Sequence, residues 1–216
     1  MRLIVFDLDG TLVDSLGDLT DSANELLARH GARPLDDAEV AGMIGEGVGR
    51  LVRRVLAVRR VELEPRQAVD EFLAIYDGRL LDRTRPYDGI PEALAALGHG
   101  APLAVLTNKP AAAAERILDG LRLRACFQWV MGGDGPNGRK PEPHGLLAIM
   151  RAAGRGAEET VLVGDSAVDV DTARAAGTRV CIARYGFGFH TRPPETLRGD
   201  ELFVDRPDEL PAVLGR

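Results

Sequence analysis

Four apolar residues, Leu3-Ile4-Val5-Phe6, run directly into Asp7 and Asp9. A strand that is apolar at every position is buried on both faces, as in a parallel sheet covered by helices on each side. Ending such a strand in two carboxylates two residues apart raises an electrostatic problem. Their charges repel, and burying either one is costly without a cation or a hydrogen-bond donor to compensate. The chain must therefore fold so that positive charge meets Asp7 and Asp9 at one end of a buried strand.

After the first strand, at 3–7, similar runs recur at 103–107, 128–131, 160–164, 180–183 and 202–204. Helical patterns alternate with them at 111–121, 145–153 and 171–176, the last ending at Gly177, a residue suited to a helix C-terminus. This alternation predicts an α/β fold built on a doubly wound parallel sheet. One interval breaks the rhythm: a strand-helix-strand unit takes about 30 residues, yet roughly 95 separate Asp7 from Leu103. The stretch 89–98, with Pro91 near its start, supplies the crossover helix. Residues 15–85 remain and read as helices at 15–30, 36–43, 48–60 and 65–81. The expected organisation is a core of residues 1–14 and 86–216, with a helical bundle, 15–85, inserted after the first strand. Hinges are expected near Asp14-Ser15 and at 83–86. Ligands of open α/β sheets sit outside the carboxyl ends of the strands, so the insertion is placed to act as a lid.

The 216 residues are 45% hydrophobic and 28% charged, the make-up of an ordinary globular protein. No apolar run approaches the roughly 18 residues needed to cross a bilayer. The first apolar stretch is too short for a signal-peptide core. Cys126 and Cys181 have neither metal nor disulfide spacing, so a cytoplasmic location is expected. A net charge of −6 argues against a nucleic-acid surface. The chain has 25 arginines but only two lysines, Lys109 and Lys140, so the position of each lysine is informative.

Parallel strands deliver their carboxyl ends to one edge. There Asp7 and Asp9 would meet Thr107, Asn108 and Lys109, then Lys140 from a loop entering a helix, and Asp165, Asp169 and Asp171. Clustered carboxylates are hard ligands that favour Mg²⁺. One carboxylate freed to attack is a competent nucleophile towards phosphorus. Attack by an anion on an anion needs positive charge around the phosphoryl oxygens, which Mg²⁺ and Lys140 would supply. Thr107 and Asn108 add neutral donors to the same oxygens. A second carboxylate beside the nucleophile can protonate the leaving oxygen and later activate water. Lys109 either shapes this pocket or is solvated. An EF-hand calcium loop is excluded, because its sixth position must be glycine and Leu12 stands there. Arg50, Arg53, Arg54, Arg59 and Arg60 form either a solvated helix face or a set from which one arginine reaches an anionic substrate. Asp171 is expected to start or cap its helix. Trp129, His30, His99 and His190 are expected in packing or surface roles.

Asp7-Leu8-Asp9-Gly10-Thr11, Thr107-Asn108, Lys140-Pro141 and Gly164-Asp165-Ser166 with Asp169 resemble, in order, the four motifs of the haloacid dehalogenase superfamily of phosphohydrolases. The resemblance spans essentially the whole chain. It implies a Rossmann-like core with a helical cap, Asp7 as nucleophile and Asp9 as general acid/base. It also implies Mg²⁺ held by the Asp7 carboxylate, the Asp9 backbone carbonyl and Asp165, with Asp169 behind it or reaching it through water. Thr107, Asn108 and Lys140 would bind the phosphate. Within the superfamily the chain is most similar to the phosphoglycolate phosphatase branch. "IGEGVGRLV" (44–52) is like the cap loop that faces substrate there, which puts Gly45 at the substrate. "LTNKP" includes the lysine after the asparagine, and "ARYGFG" (183–188) resembles the loop after the fifth strand. His144 departs from the pattern, standing where an aspartate or similar residue is common. The implied substrate is a small phosphate monoester, 2-phosphoglycolate first, acted on by a monomer or homodimer with no nucleic-acid or membrane partner. A sugar- or amino-sugar-phosphate phosphatase, or a phosphomutase, would use the same core. A receiver-like module would accept phosphate without turnover. A phosphonate hydrolase needs a lysine in its cap, and residues 15–85 contain none; a dehalogenase lacks the second aspartate.

Overall fold

A computed structural model describes residues 2–189 and 197–215, so His190 lies outside the described residues. Six parallel strands form the central sheet: β1 (Leu3–Phe6), β4 (Leu103–Leu106), β5 (Trp129–Met131), β6 (Thr160–Gly164), β7 (Arg179–Ala183) and β8 (Leu202–Val204), in the order β5-β4-β1-β6-β7-β8. β1 is flanked on both sides, with Ile4 opposite Leu103 and Leu3 opposite Thr160. Successive side chains of a strand point to opposite faces. Ile4 and Phe6 therefore pack with Leu94 of α5 (Ile90–Gly98) and Ile117 of α6 (Ala111–Gly120). Leu3 and Val5 pack on the other face with Ile149 of α7 (His144–Ala153) and Val170 of α8 (Ala167–Ala176). Fully burying one such side chain contributes about 1.5–3 kcal/mol, so β1 is anchored through all four of its residues. A short C-terminal helix, α9 (Leu210–Leu214), packs on α5.

The expected α/β class with a doubly wound parallel sheet is the one observed. Two boundaries differ by four residues. α8 begins at Ala167, four residues before the expected start. Both the backbone N–H and the hydroxyl of Ser166 donate to Asp169 Oδ2, at 3.1 and 2.6 Å, and these two bonds fix the start of the helix. Asp171 is therefore inside the helix and Asp169 is in its first turn. Among the insertion's helices, α4 (Pro65–Asp77) stops short of 81, at Gly78, a residue that favours the helix interior little.

Between β2 (Val13–Asp14) and β3 (Arg85–Pro86) lie α1 (Leu16–Arg29), α2 (Asp37–Ala41), α3 (Val48–Arg59) and α4. α1 packs against the other three, and α3 against α4. Leu26, Leu27, Val55 and Phe72 are buried among them, and the Phe72 and Tyr76 rings stack at 5.8 Å. The capping residues fit the boundaries: Asp36 and Glu39 exchange hydrogen bonds at the start of α2, and the Glu64 carboxylate accepts from Gln67 N before α4, with Pro65 in its first turn.

Two features join the ends of the insertion. β2 pairs antiparallel with β3, Val13 opposite Pro86 and Asp14 opposite Arg85. Deeper in, the buried carboxylate of Asp18 accepts from Arg83 N (2.8 Å), Thr84 N (2.8 Å) and Thr84 Oγ1 (2.6 Å). Removing an acceptor that satisfies buried N–H groups costs about 1–3 kcal/mol for each group stranded. Asp18→Ala should therefore lower the unfolding free energy by about 2–4 kcal/mol in a urea titration, more than Asp21→Ala on the exposed side of the same helix.

Candidate active site

The three central strands β4, β1 and β6 end side by side. Asp7 follows β1, Thr107, Asn108 and Lys109 follow β4, and Asp165 follows β6. Lys140 enters from the loop before α7 and inserts its ammonium between two carboxylates, 2.6 Å from Asp169 Oδ1 and 2.9 Å from Asp7 Oδ1. Asp7 Oδ1 also accepts the Leu8 N–H at 2.7 Å, and Asp165 Oδ2 accepts the Gly188 N–H at 2.7 Å. The turn after Asp9 leaves no room for a side chain. Gly10 has φ +80°, and a Cβ there would fall 2.0 Å from Asp165 Oδ2.

Carboxylate oxygens of Asp7, Asp165 and Asp169 lie within 4.8 Å of one another, all buried. Burial pushes the Asp7 carboxyl up to about 7, with Lys140 pulling the other way and Asp169 adding to the rise. Asp165 is raised well above the ordinary carboxylate value, by burial first and then by Asp169 and Asp7. Burial works against the Lys140 charge, but Asp169 and Asp7 outweigh it and hold the ammonium protonated. Three carboxylates thus face one ammonium. All-oxygen donors with an unmet negative charge are the donor set of a hard divalent cation, so the residues fit one. Asp169 is poorly placed as a direct ligand. Its Oδ1 is held by Lys140 and its Oδ2 by Ser166.

Asp9 belongs to a second, separate pair. Its Oδ1 accepts from Ser15 Oγ at 2.6 Å and lies 3.2 Å from Lys109 Nζ. Lys109 Nζ in turn donates to Tyr76 Oη at 2.6 Å and sits 4.5 Å above the Tyr76 ring. Burial opposes the Lys109 charge, but Asp9 and Tyr76 outweigh it. Burial also raises the Tyr76 hydroxyl above its ordinary value, which keeps it a neutral donor.

Asp7, Asp9, Gly45, Thr107, Asn108 and Asp165 line one cleft, with Lys109 and Tyr76 beside them; Lys140 and Asp169 are buried next to Asp7 and do not line it. Thr107 Oγ1 accepts from Lys109 N at 3.2 Å, which leaves its hydroxyl hydrogen to donate. Asn108 differs from the expectation of a donor to phosphate. Nδ2 gives its hydrogens to Gly45 O and Lys140 O, each at 2.9 Å, while Oδ1 accepts from Lys140 N at 2.8 Å. A side-chain amide has only those two hydrogens, so Asn108 braces the Lys140 backbone against the loop before α3. No α3 arginine lines the cleft: Arg50 and Arg54 pair with Glu46, and Arg59 with Glu39.

Sequence reasoning left Lys109 undecided and missed Tyr76, Ser15 and the Gly188 N–H. Lys109 carried one signal, its rarity. Tyr76 carried none, because it reads as one more residue of an apolar helix face. Asn108→Ala strands two buried backbone groups of Lys140 and a half-buried one of Gly45, and should cost about 2–4 kcal/mol on urea unfolding. A loss below about 0.5 kcal/mol would show that the bridge holds nothing.

The model of the haloacid dehalogenase-like hydrolases matches residues 4–183. A phosphoglycolate phosphatase of Rhodospirillum rubrum is 40% identical over 212 residues, spanning 94% of this chain and 87% of that protein. One from Cereibacter sphaeroides is 41% identical over 216 residues, spanning 98% and 96%. The crystal structure of a predicted phosphoglycolate phosphatase from Haemophilus somnus superposes with a TM-score of 0.91 at 30% identity, over 99% of this chain and 97% of that one. With four motifs at the ends of the strands and a family match over most of its length, the chain belongs to the haloacid dehalogenase-like hydrolases.

Proposed function

We propose that this hydrolase is a Mg²⁺-dependent phosphatase of small phosphate monoesters, with 2-phosphoglycolate as its substrate and Asp7 as its nucleophile. The observation that carries the reading is the buried Asp7, Asp165 and Asp169 cluster around Lys140. The name shared by the relatives supports the choice of substrate. Residues 15–85 act as the cap, and residues 1–14 with 86–216 as the catalytic core.

Asp7 and Asp165 with the Asp9 backbone carbonyl would hold the metal, and Asp169 would orient Lys140 behind them. When bound, Mg²⁺ neutralises these carboxylates and draws negative charge from the phosphoryl oxygens. The protein's own groups then divide the work. An Asp7 carboxylate oxygen attacks phosphorus, and the phosphorus–oxygen bond to the leaving group breaks. Asp9, fixed through Oδ1 by Ser15 and Lys109, delivers its proton to the leaving oxygen from its other oxygen. In the second half-reaction Asp9 takes a proton from water, which attacks the aspartyl phosphate and frees Asp7. The Thr107 hydroxyl holds the phosphoryl group, Lys140 supplies positive charge to it from behind Asp7, and Gly45 closes the cap side.

With Mg²⁺ present, kcat/KM across phosphate monoesters should favour 2-phosphoglycolate over sugar phosphates by about 100-fold, or about 2.7 kcal/mol. A flat profile, or a peak on a sugar phosphate, would overturn the substrate assignment. Asp7→Asn should lower kcat by roughly 10⁴-fold or more while leaving the folded structure intact; retained turnover would remove Asp7 as nucleophile.

Metal binding should also show in stability. Above its ordinary value of 3.8 the unfolded Asp7 has released its proton, whereas the folded, metal-free protein keeps it to about 7. The metal-free fold therefore binds more protons in that window, and the Asp7 contribution to stability is lost as pH rises through it. Mg²⁺ must displace that proton at low pH and meets a free carboxylate at high pH. The rise in Tm caused by Mg²⁺ should accordingly be small near about pH 5 and larger near about pH 8. Calorimetry at matched ionic strength checks this.

A further inference from the structure

The cleft beside Asp9 has walls of Leu19, Ile44, Leu51 and Phe72, side chains that cannot satisfy an anion. A carboxylate taken out of water against such walls costs several kcal/mol unless charged or hydrogen-bonding groups receive it. Among the described residues that line the cleft, Lys109 is the one cation. Lys140 is engaged by Asp7 and Asp169, and no arginine of α3 lines the cleft.

Lys109 and Tyr76 are arranged as a pair of donors. The ammonium has three hydrogens; one goes to Tyr76 Oη and one faces Asp9 Oδ1. Tyr76 Oη accepts from Lys109, so its own hydrogen remains for an acceptor in the cleft. Position supplies the rest. Lys109 Nζ is 3.2 Å from the carboxylate that protonates the leaving oxygen in the reaction above. In a phosphate ester of a 2-hydroxy acid, the carboxyl carbon is two bonds from that leaving oxygen. A leaving oxygen within hydrogen-bond reach of Asp9 thus brings its carboxylate to Lys109 and Tyr76.

We propose that the Lys109 ammonium and the Tyr76 hydroxyl form the seat for a carboxylate on the leaving group, and so select 2-phosphoglycolate over phosphate esters of similar size whose leaving group carries no charge. The inference rests on the phosphatase reading and names the residues that give it specificity. One donor comes from the strand end of β4 and the other from α4, so selection needs the inserted helices in place.

The test is kcat/KM for 2-phosphoglycolate and for ethyl phosphate, which has the same chain length but no carboxylate, in wild type, Lys109→Met and Tyr76→Phe. The quantity read is the ratio between the two substrates, because a disturbance of Asp9 slows both and cancels. The ratio should fall about 10- to 100-fold in Lys109→Met, the range for one hydrogen bond to a charged group. It should fall about three- to tenfold in Tyr76→Phe, which removes a single oxygen and carries the test by itself if Lys109→Met does not fold. A ratio unchanged in these variants, with both substrates slowed alike, would make Lys109 a positioning residue for Asp9 and overturn the proposal. A wild-type ratio near one overturns the substrate assignment instead, a different failure seen before any variant is made.

Discussion

Holding Asp7, Asp165 and Asp169 with oxygens within 4.8 Å of one another, out of water, is the electrostatic constraint around which the molecule is arranged. Two unit charges about 4 Å apart interact by about 4 kcal/mol even at the effective dielectric of a protein surface. A whole domain is stable by only about 5–15 kcal/mol, so the cluster cannot stand uncompensated. The compensation reaches it from several directions. Lys140 comes from the loop before α7, the Gly188 N–H from the segment after β7, and the Leu8 N–H from the turn beside Asp7 itself. The closeness of Gly10 to Asp165 follows from the same crowding, since these groups meet where no Cβ can fit. What remains after these contacts is negative charge, and a divalent cation is the natural counterpart of that remainder.

The adjacent residues Asn108 and Lys109 connect the inserted helices to the surroundings of both Asp7 and Asp9. Asn108 ties Gly45 to the backbone of Lys140, the residue that neutralises Asp7. Lys109 ties Tyr76 to Asp9. One dipeptide at the end of β4 therefore touches the insertion at Gly45 and Tyr76 and, on its other side, the Lys140 backbone and the Asp9 carboxylate. If the insertion moves, Asn108 and Lys109 each lose a partner at once. Positional coupling of this kind is carried by hydrogen bonds between named atoms and needs no long pathway through the protein.

The α/β class and the parallel sheet were legible because the four residues of β1 are apolar without interruption, and because the later strands alternate with helices. The residues that meet at the site were legible because strand ends in a parallel sheet share one edge. Strand order was not. Nothing local in Thr160–Gly164 says that it lies beside β1, although this adjacency is what brings Asp165 to Asp7. The start of α8 was misread because Asp171 looks like a cap, while the actual start depends on Ser166 and Asp169 meeting in three dimensions. Asn108 read as a donor to substrate because its residue type allows it; its two hydrogens are taken by carbonyls, one 63 and one 32 residues away in the chain. Tyr76 was invisible for the complementary reason. Its ring belongs to an apolar helix face, and only its hydroxyl belongs to the site.

The central position of β1 has a consequence for how the chain is made. Ile4 pairs with Leu103 and Leu3 with Thr160, so β1 waits for the synthesis of more than 150 further residues before both of its edges are covered. The helices of the insertion need only local contacts, which form fast, whereas distant strand pairing is slow. The β2–β3 ladder and the Asp18 contacts draw residues 14 and 85 together, which shortens the loop that β1 must close to reach β4. On the ribosome the insertion can thus assemble ahead of the sheet it sits on. Until Thr160 has emerged, β1 presents a fully apolar strand with an open edge, the kind of surface that draws in other chains. The strand that ends in Asp7 and is covered on both edges in the finished protein is, in the growing one, a segment in need of shelter.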